Sequence, residues 1–218
     1  MSQVAGPTAA LAGIPAGLQS QGVWAGRRQL FVRFAAEAET ATMYTADALA
    51  HEIRRGTSRS TFHSISISGR DPLSNVDYIN AALEKVTIEV PVMLDTDGQR
   101  PAEIGEIHKF LKMVQVTVEG GTIEMQSERA IESLKVAAEH GLAHALVITA
   151  DATSADAHFL RIVERAHATS GATTVVVHPG PTTPVDRDRR WTTLFERLSG
   201  IHGDVRLALK LPPPTGMR

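Results

Sequence analysis

The chain has 218 residues, a formal net charge of -2, 43% hydrophobic residues and no cysteine. That length suits one domain with a buried core, and the near-neutral charge lacks the clustered Lys and Arg that nucleic acid or an anionic membrane calls for. Without thiolates the chain supplies no disulfide, no zinc-thiolate site and no cysteine-ligated iron-sulfur cluster.

The N-terminus lacks the basic start and continuous apolar run of a signal peptide, and no apolar stretch approaches ~20 residues. A soluble, cytoplasmic protein is therefore expected, with a small molecule or another protein as partner; a homodimer is left open. Residues 1–17 are small, punctuated by Gly and Pro and without period. They predict a flexible lead-in ahead of a single domain over 18–218.

From Gln29 the chain alternates short β-branched runs with amphipathic ones, the pattern of repeated β-α units. Strands are predicted at Gln29–Ala35, Thr61–Ser68, Val90–Leu94, Met113–Val118, His144–Thr149, Thr173–Val177 and Val205–Leu209. Thr45 is placed to cap the first helix, with Asp47 in its first turn and Leu49 and Ile53 on its inner face. Later helices carry Ile79 and Leu83, then Ile131 and Leu134 after a start at Ser127, then Phe159 and Val163, then Trp191 and Leu198. Gly141 marks the end of the Ser127 helix. Six or seven parallel strands are fewer than the eight of a closed barrel, so an open, partial β/α barrel is expected, with its chemistry at the carboxyl ends of the strands.

The stretch from Leu18 to Thr45 contains Q-S-Q-G, A-G-R-R and the strand F-V-R-F-A. It resembles the opening of the 7-carboxy-7-deazaguanine synthases, radical S-adenosylmethionine enzymes that carry Q-G-E-G, A-G-R-P and a similar strand before three cysteines. Here Glu37, Ala41 and Tyr44 stand at the cysteine spacing. Ser68-Gly69-Arg70-Asp71-Pro72 is similar to the family's G-G-E-P, and Leu94 to Gly98 (L-D-T-D-G) to its L-E-T-N-G. The ending D-V-R-L-A-L-K-L-P is similar to the family's last strand.

The resemblance implies a radical-SAM-like open barrel with substrate contacts at Gln19, Gln21 and Arg33. It implies an S-adenosylmethionine pocket at Ser68, Gly69, Asp71 and Thr96. A magnesium contact is also implied where the family has Asp-Thr, and Thr45-Ala46 stands there instead. Reductive cleavage of S-adenosylmethionine needs an electron from a thiolate-held cluster, so the chain reads as a relative that has lost its iron-sulfur site. The expected role is a pseudoenzyme that binds a purine- or pterin-like heterocycle, S-adenosylmethionine or a partner enzyme. The alternative is a non-radical, lyase-like enzyme using Asp71, Asp95 and His178 at the barrel mouth.

Plainer roles stand beside these. Glu37, Glu39 and Thr40 form a solvated loop or a Mg²⁺ contact. Asp71 caps a helix, holds a ligand amine or pairs with Arg70. Asp95 and Asp97 form a carboxylate pair, or Asp97 simply belongs to the Asp-Gly turn. His140 and His144 straddle Gly141 and are not expected to share a face. His178, directly after a strand, is the strongest histidine candidate.

Overall fold

The computed structural model describes residues 6–150, 154–179 and 189–209. In chain order the strands are β1 (Thr8–Gly13), β2 (Ala16–Leu18), β3 (Arg28–Phe34), β4 (Thr42–Thr45), β5 (Ser64–Gly69), β6 (Val92–Thr96), β7 (Met113–Glu119), β8 (Ala143–Ala150), β9 (Thr174–Pro179) and β10 (Val205–Leu207). The helices are α1 (Ala46–Arg59), α2 (Val76–Leu83), α3 (Ile104–Ile107), α4 (Ile123–Glu139), α5 (Asp156–Thr169) and α6 (Arg189–Ser199).

All ten strands belong to one sheet in the order β10-β9-β8-β7-β6-β5-β3-β1-β4, with β2 also on β3. From β3 through β10 neighbours run parallel, each joined to the next by helical segments, while β1, β2 and β4 add antiparallel pairings at one side. The order ends at β4 and β10 rather than closing, which is the open α/β barrel expected from the sequence. Thr45 caps α1 as anticipated, its hydroxyl accepting from the Ala48 N–H at 3.1 Å. Gly141 takes φ +67 just beyond α4, the left-handed step that ends a helix. The helix itself begins at Ile123 instead of Ser127, whose hydroxyl turns back to the Ile123 carbonyl at 2.5 Å.

Two expectations are corrected here. Within the lead-in expected over 1–17, residues 8–17 are not flexible: Ala9 and Leu11 are buried, and β1 pairs with both β3 and β4. The run A-A-L-A-G is short and small, so nothing in its local pattern marks it as a strand until β3 and β4 offer edges. Between the predicted first strand and Thr45, where no strand was expected, Thr42–Thr45 form β4, with Tyr44 opposite Ala9.

The main core lies between the sheet and its helices. Leu30, Val32, Ile65, Ile67, Leu94, Val114, Val116, Val118, Leu146, Ile148, Val175 and Val177 face Ile53, Leu134, Phe159 and Trp191 from the helical layer. Because strand side chains alternate between faces, the intervening residues point away from the helices onto the inner face. A separate small apolar cluster, Met93, Met113 and Ala145 with Val23 and Trp24, marks that side.

Candidate functional site

Alternation puts a set of polar residues on the inner face beside Met93, Met113, Ala145, Val147 and Val176. β3 contributes Gln29 and Arg33, β5 Ser64, Ser66 and Ser68, β6 Asp95, β7 Gln115, Thr117 and Glu119, β8 Thr149 and β9 His178. Gln29, Ser64, Ser66, Gln115 and His178 are fully buried. Parallel register sets Glu119, Thr149 and His178 side by side at the carboxyl ends of β7, β8 and β9. Asp95 accepts from the Thr117 hydroxyl at 3.0 Å, and Gln29 Nε2 donates to Ser64 Oγ at 2.7 Å.

The tip of the β2–β3 hairpin crosses this face. Its base is closed by Gln19 N–H to the Arg27 carbonyl at 2.9 Å and Gly26 N–H to the Gln19 carbonyl at 2.8 Å. Gly22 N–H then donates to His178 Nε2 at 2.9 Å, and Val23 N–H to Gln115 Oε1 at 3.2 Å. An imidazole that accepts at Nε2 and is neutral carries its proton on Nδ1. Trp24 meets the His63 ring edge-on with centroids 4.9 Å apart. Burial, and secondarily the Arg27 charge, lowers the His63 pKa from 6.5. Several buried polar atoms on or against the inner face have no hydrogen-bond partner among the described residues: Gln21 Oε1, Gln29 Oε1, Ser66 Oγ, Gln115 Nε2 and Thr149 Oγ1.

The residues singled out in the sequence fall into distinct places. His178 accepts from Gly22, the residue after Gln21, at the hairpin tip, and Asp95 lies on the same face of the sheet as His178. Gln19 is buried, and its backbone closes the base of the tip. Arg33 reaches the same face but pairs with Glu39 at 3.4 Å, while Glu39 also accepts from Ala36 N–H at 3.1 Å. Ser68 is partly exposed at the end of β5. Gly69 has φ +101, and a Cβ there would stand 2.2 Å from the Phe34 carbonyl oxygen, so this glycine serves a close approach of β5 to β3. The Thr96 hydroxyl accepts from Gly98 N–H at 3.2 Å, the bond of a turn.

Asp71 neither caps a helix nor pairs with Arg70: no capping bond is formed, and its partner is Arg100, Nε to Oδ2 at 3.0 Å. Both of these residues have left-handed backbones, φ 38 and φ 53. A cleft of ≈ 340 Å³ beside them is lined by Ser74, Asn75, Tyr78 and Arg100 among others. Burial, then the Tyr44 phenol, pushes the Tyr78 hydroxyl pKa upward, so it stays protonated. Asp95 and Asp97 do not form a carboxylate pair, since Asp97 turns to Arg129 at 3.2 Å. His140 stacks on His108 and His144 Nδ1 lies 2.8 Å from the Leu142 carbonyl, so the two are apart as expected.

Glu37 and Ala41 lie exposed around the turn before β4, and Tyr44 lies on it. A carboxylate, a methyl group and a phenol do not fit an iron-sulfur cluster, which soft thiolates hold. No cluster of three or more His, Asp or Glu suited to a metal ion occurs among the described residues.

Ser66, Gln115, Thr117 and Thr149 were missed in the sequence, although their signal was present. S-I-S-I-S and M-V-Q-V-T-V-E alternate strictly, and the polar half of such a strand belongs to the face without helices.

No family model matches the chain. A 7-carboxy-7-deazaguanine synthase of Methanothermobacter thermautotrophicus is 31% identical to it over 46% of this chain and 45% of that protein. Among solved structures, SuiB of Streptococcus suis bound to S-adenosylmethionine is similar with TM-score 0.53, at 14% identity, over 83% of this chain and 45% of SuiB. Another structure of SuiB gives TM-score 0.52 at 15% identity over 80% of this chain and 44% of that one. The chain thus spans less than half the length of these relatives, and the likeness to SuiB is one of fold. No helix among the described residues is long and apolar enough to cross a membrane.

Proposed function

We propose that the chain is a ligand-binding relative of the radical S-adenosylmethionine synthases that has given up the iron-sulfur site, and that its inner face receives a neutral, planar heterocycle of the purine or pterin kind. The observation that carries this reading is the inner face itself. Buried Gln29, Ser64, Ser66, Gln115 and His178 share it with Met93, Met113, Ala145, Val147 and Val176, and five polar atoms on or against it lack a hydrogen-bond partner among the described residues. Buried donors and acceptors are rarely left unmet, so a face in that condition fits water or a ligand that completes it. Amides and hydroxyls match a heterocycle edge better than a phosphate, which favours arginine forks and helix N-termini. The sequence similarity to the deazaguanine synthase supports the same class of ligand.

A second reading, S-adenosylmethionine held without cleavage, draws on SuiB having been solved with that molecule and on the strained Asp71–Arg100 pair at the strand ends. One experiment separates them: thermal unfolding of the purified chain with S-adenosylmethionine, S-adenosylhomocysteine, pterins and deazapurines. A ligand at about 100 times its Kd is expected to raise the melting temperature by roughly 5–10 °C. A response to the heterocycles supports the first reading, and one confined to the sulfonium compounds the second. If none of them shifts the transition, both are wrong and a partner protein becomes the better account.

A further inference from the structure

His63 sits where the base of the β2–β3 hairpin meets the start of β5. Its backbone N–H donates to the Arg28 carbonyl at 2.9 Å, and its ring meets Trp24 of the hairpin edge-on. A row of three side chains runs inward from that ring. His63 Nδ1 lies 3.0 Å from Ser64 Oγ, and Gln29 Nε2 donates to the same oxygen at 2.7 Å. Ser64 and Gln29 are fully buried, and Gln29 Oε1 has no donor among the described residues.

The row has a direction. A hydroxyl carries one proton, and since Ser64 accepts from Gln29, that proton points to His63 Nδ1. Neutral His63 therefore holds its own proton on Nε2. A second proton goes to Nδ1, and the ring can then only donate to Ser64. The hydroxyl proton needs a new acceptor, and the neighbouring amide has one in Gln29 Oε1, the atom left unmatched in the neutral row. A half-turn of that amide brings it to Ser64. Both states are hydrogen-bonded, so the row reverses instead of breaking.

Charge acts from the hairpin side. Arg28 is held elsewhere, on Ser60 Oγ and the Thr61 carbonyl and over the Phe62 ring. Arg27, at the base of the hairpin, is the charge that bears on His63. Burial, and then Arg27, holds the His63 pKa below 6.5, so the neutral row prevails at pH 7. A folded-state pKa below the unfolded one means that stability is intact above 6.5 and declines as the pH falls from there toward the lowered value.

We propose that His63, Ser64 and Gln29 form a proton switch under the hairpin base. With His63 neutral the row runs from Gln29 to His63 and Trp24 rests on the ring. With His63 charged it runs from His63 to Gln29, and the hairpin base, repelled through Arg27, loosens from β5. The switch acts on the segment that crosses the inner face and stands apart from what that face binds.

Nitrogen NMR of the isotopically labelled chain tests it, with His63→Gln and Trp24→Phe assigning the two rings. Above pH 7 His63 is expected to show a bare Nδ1 and a protonated Nε2, and the opposite tautomer overturns the row. As the pH falls below 6.5, the Gln29 side-chain amide and the Trp24 indole are expected to shift together with His63 at one midpoint. An amide that stays still overturns the reversal, and an indole that stays still overturns the coupling to the hairpin. In Ser64→Ala the ring still titrates but the Gln29 amide no longer follows it; an amide that does follow removes Ser64 from the switch. Should that variant fail to fold, Gln29→Met takes away the acceptor of the reversed row and moves the His63 midpoint to lower pH by about half a unit or more. An unmoved midpoint there overturns the row. In His63→Gln the Trp24 indole loses its pH response, and a response that persists overturns the switch by assigning it to another group.

Discussion

Asp71 follows β5 and Arg100 follows β6, and both are held with φ > 0 without being glycine. A left-handed backbone costs about 1–2 kcal/mol per such residue. Their ion pair, with the arginine side chain 51% exposed, returns at most about 1 kcal/mol after solvent screening. The pair therefore does not offset the strain, and the surrounding turns enforce it, as they do where loops are shaped around a ligand. Gly69 meets the same constraint with the residue suited to it. Its φ of +101 and the 2.2 Å that would separate an added Cβ from the Phe34 oxygen leave no room for a side chain. Gly69→Ala is expected to cost on the order of 2–4 kcal/mol, read as a lowered urea midpoint with unchanged slope. A cost near zero would mean that β3 and β5 are not in contact there.

Among the elements, the two edges of the sheet are secured differently. At β4 the antiparallel strands β1 and β4 bury Ala9 and Leu11 under the sheet and leave Met43 exposed. At β10 a three-residue strand is held by Asp204, which accepts from Arg206 at 3.0 Å and from the Thr174 hydroxyl at 2.8 Å. The Arg206 hydrogen bond is the chief reason its carboxyl lies below the ordinary 3.8, with burial opposing and the Thr174 bond assisting. A depressed carboxyl pKa contributes stability above the unfolded-state pKa, and that contribution disappears as the pH falls through the folded-state value. Because the side chains are about half exposed, the contribution is small, under about 1 kcal/mol. Asp204→Asn should accordingly be slightly less stable than the parent at pH 7, with the difference shrinking as the pH falls below 3.8 through the lowered folded-state pKa, in urea titrations. A difference that persists unchanged in acid would place its origin outside the ionised carboxylate.

At the scale of the whole molecule, an open α/β barrel with buried polar groups on its inner face is combined with a donor set that cannot hold an iron-sulfur cluster. Anaerobic reconstitution with iron and sulfide is expected to give no cluster absorbance and no cleavage of S-adenosylmethionine to deoxyadenosine. A cuboidal cluster on the purified chain would sink the proposed function. Much of this was legible beforehand. The helix cap at Thr45, the glycine stop at Gly141 and the parallel strands follow from local propensity and hydrophobic period, which act over a few residues, and the missing thiolates are a matter of composition alone. Tertiary structure decided what depends on distant partners. It made strands of residues 8–18 by pairing them with β3 and β4, gave Asp71 to Arg100, and laid Gly22 on His178, a residue 156 positions away. Such contacts are set by how the whole sheet curves and packs, and no window along the chain contains both ends of them.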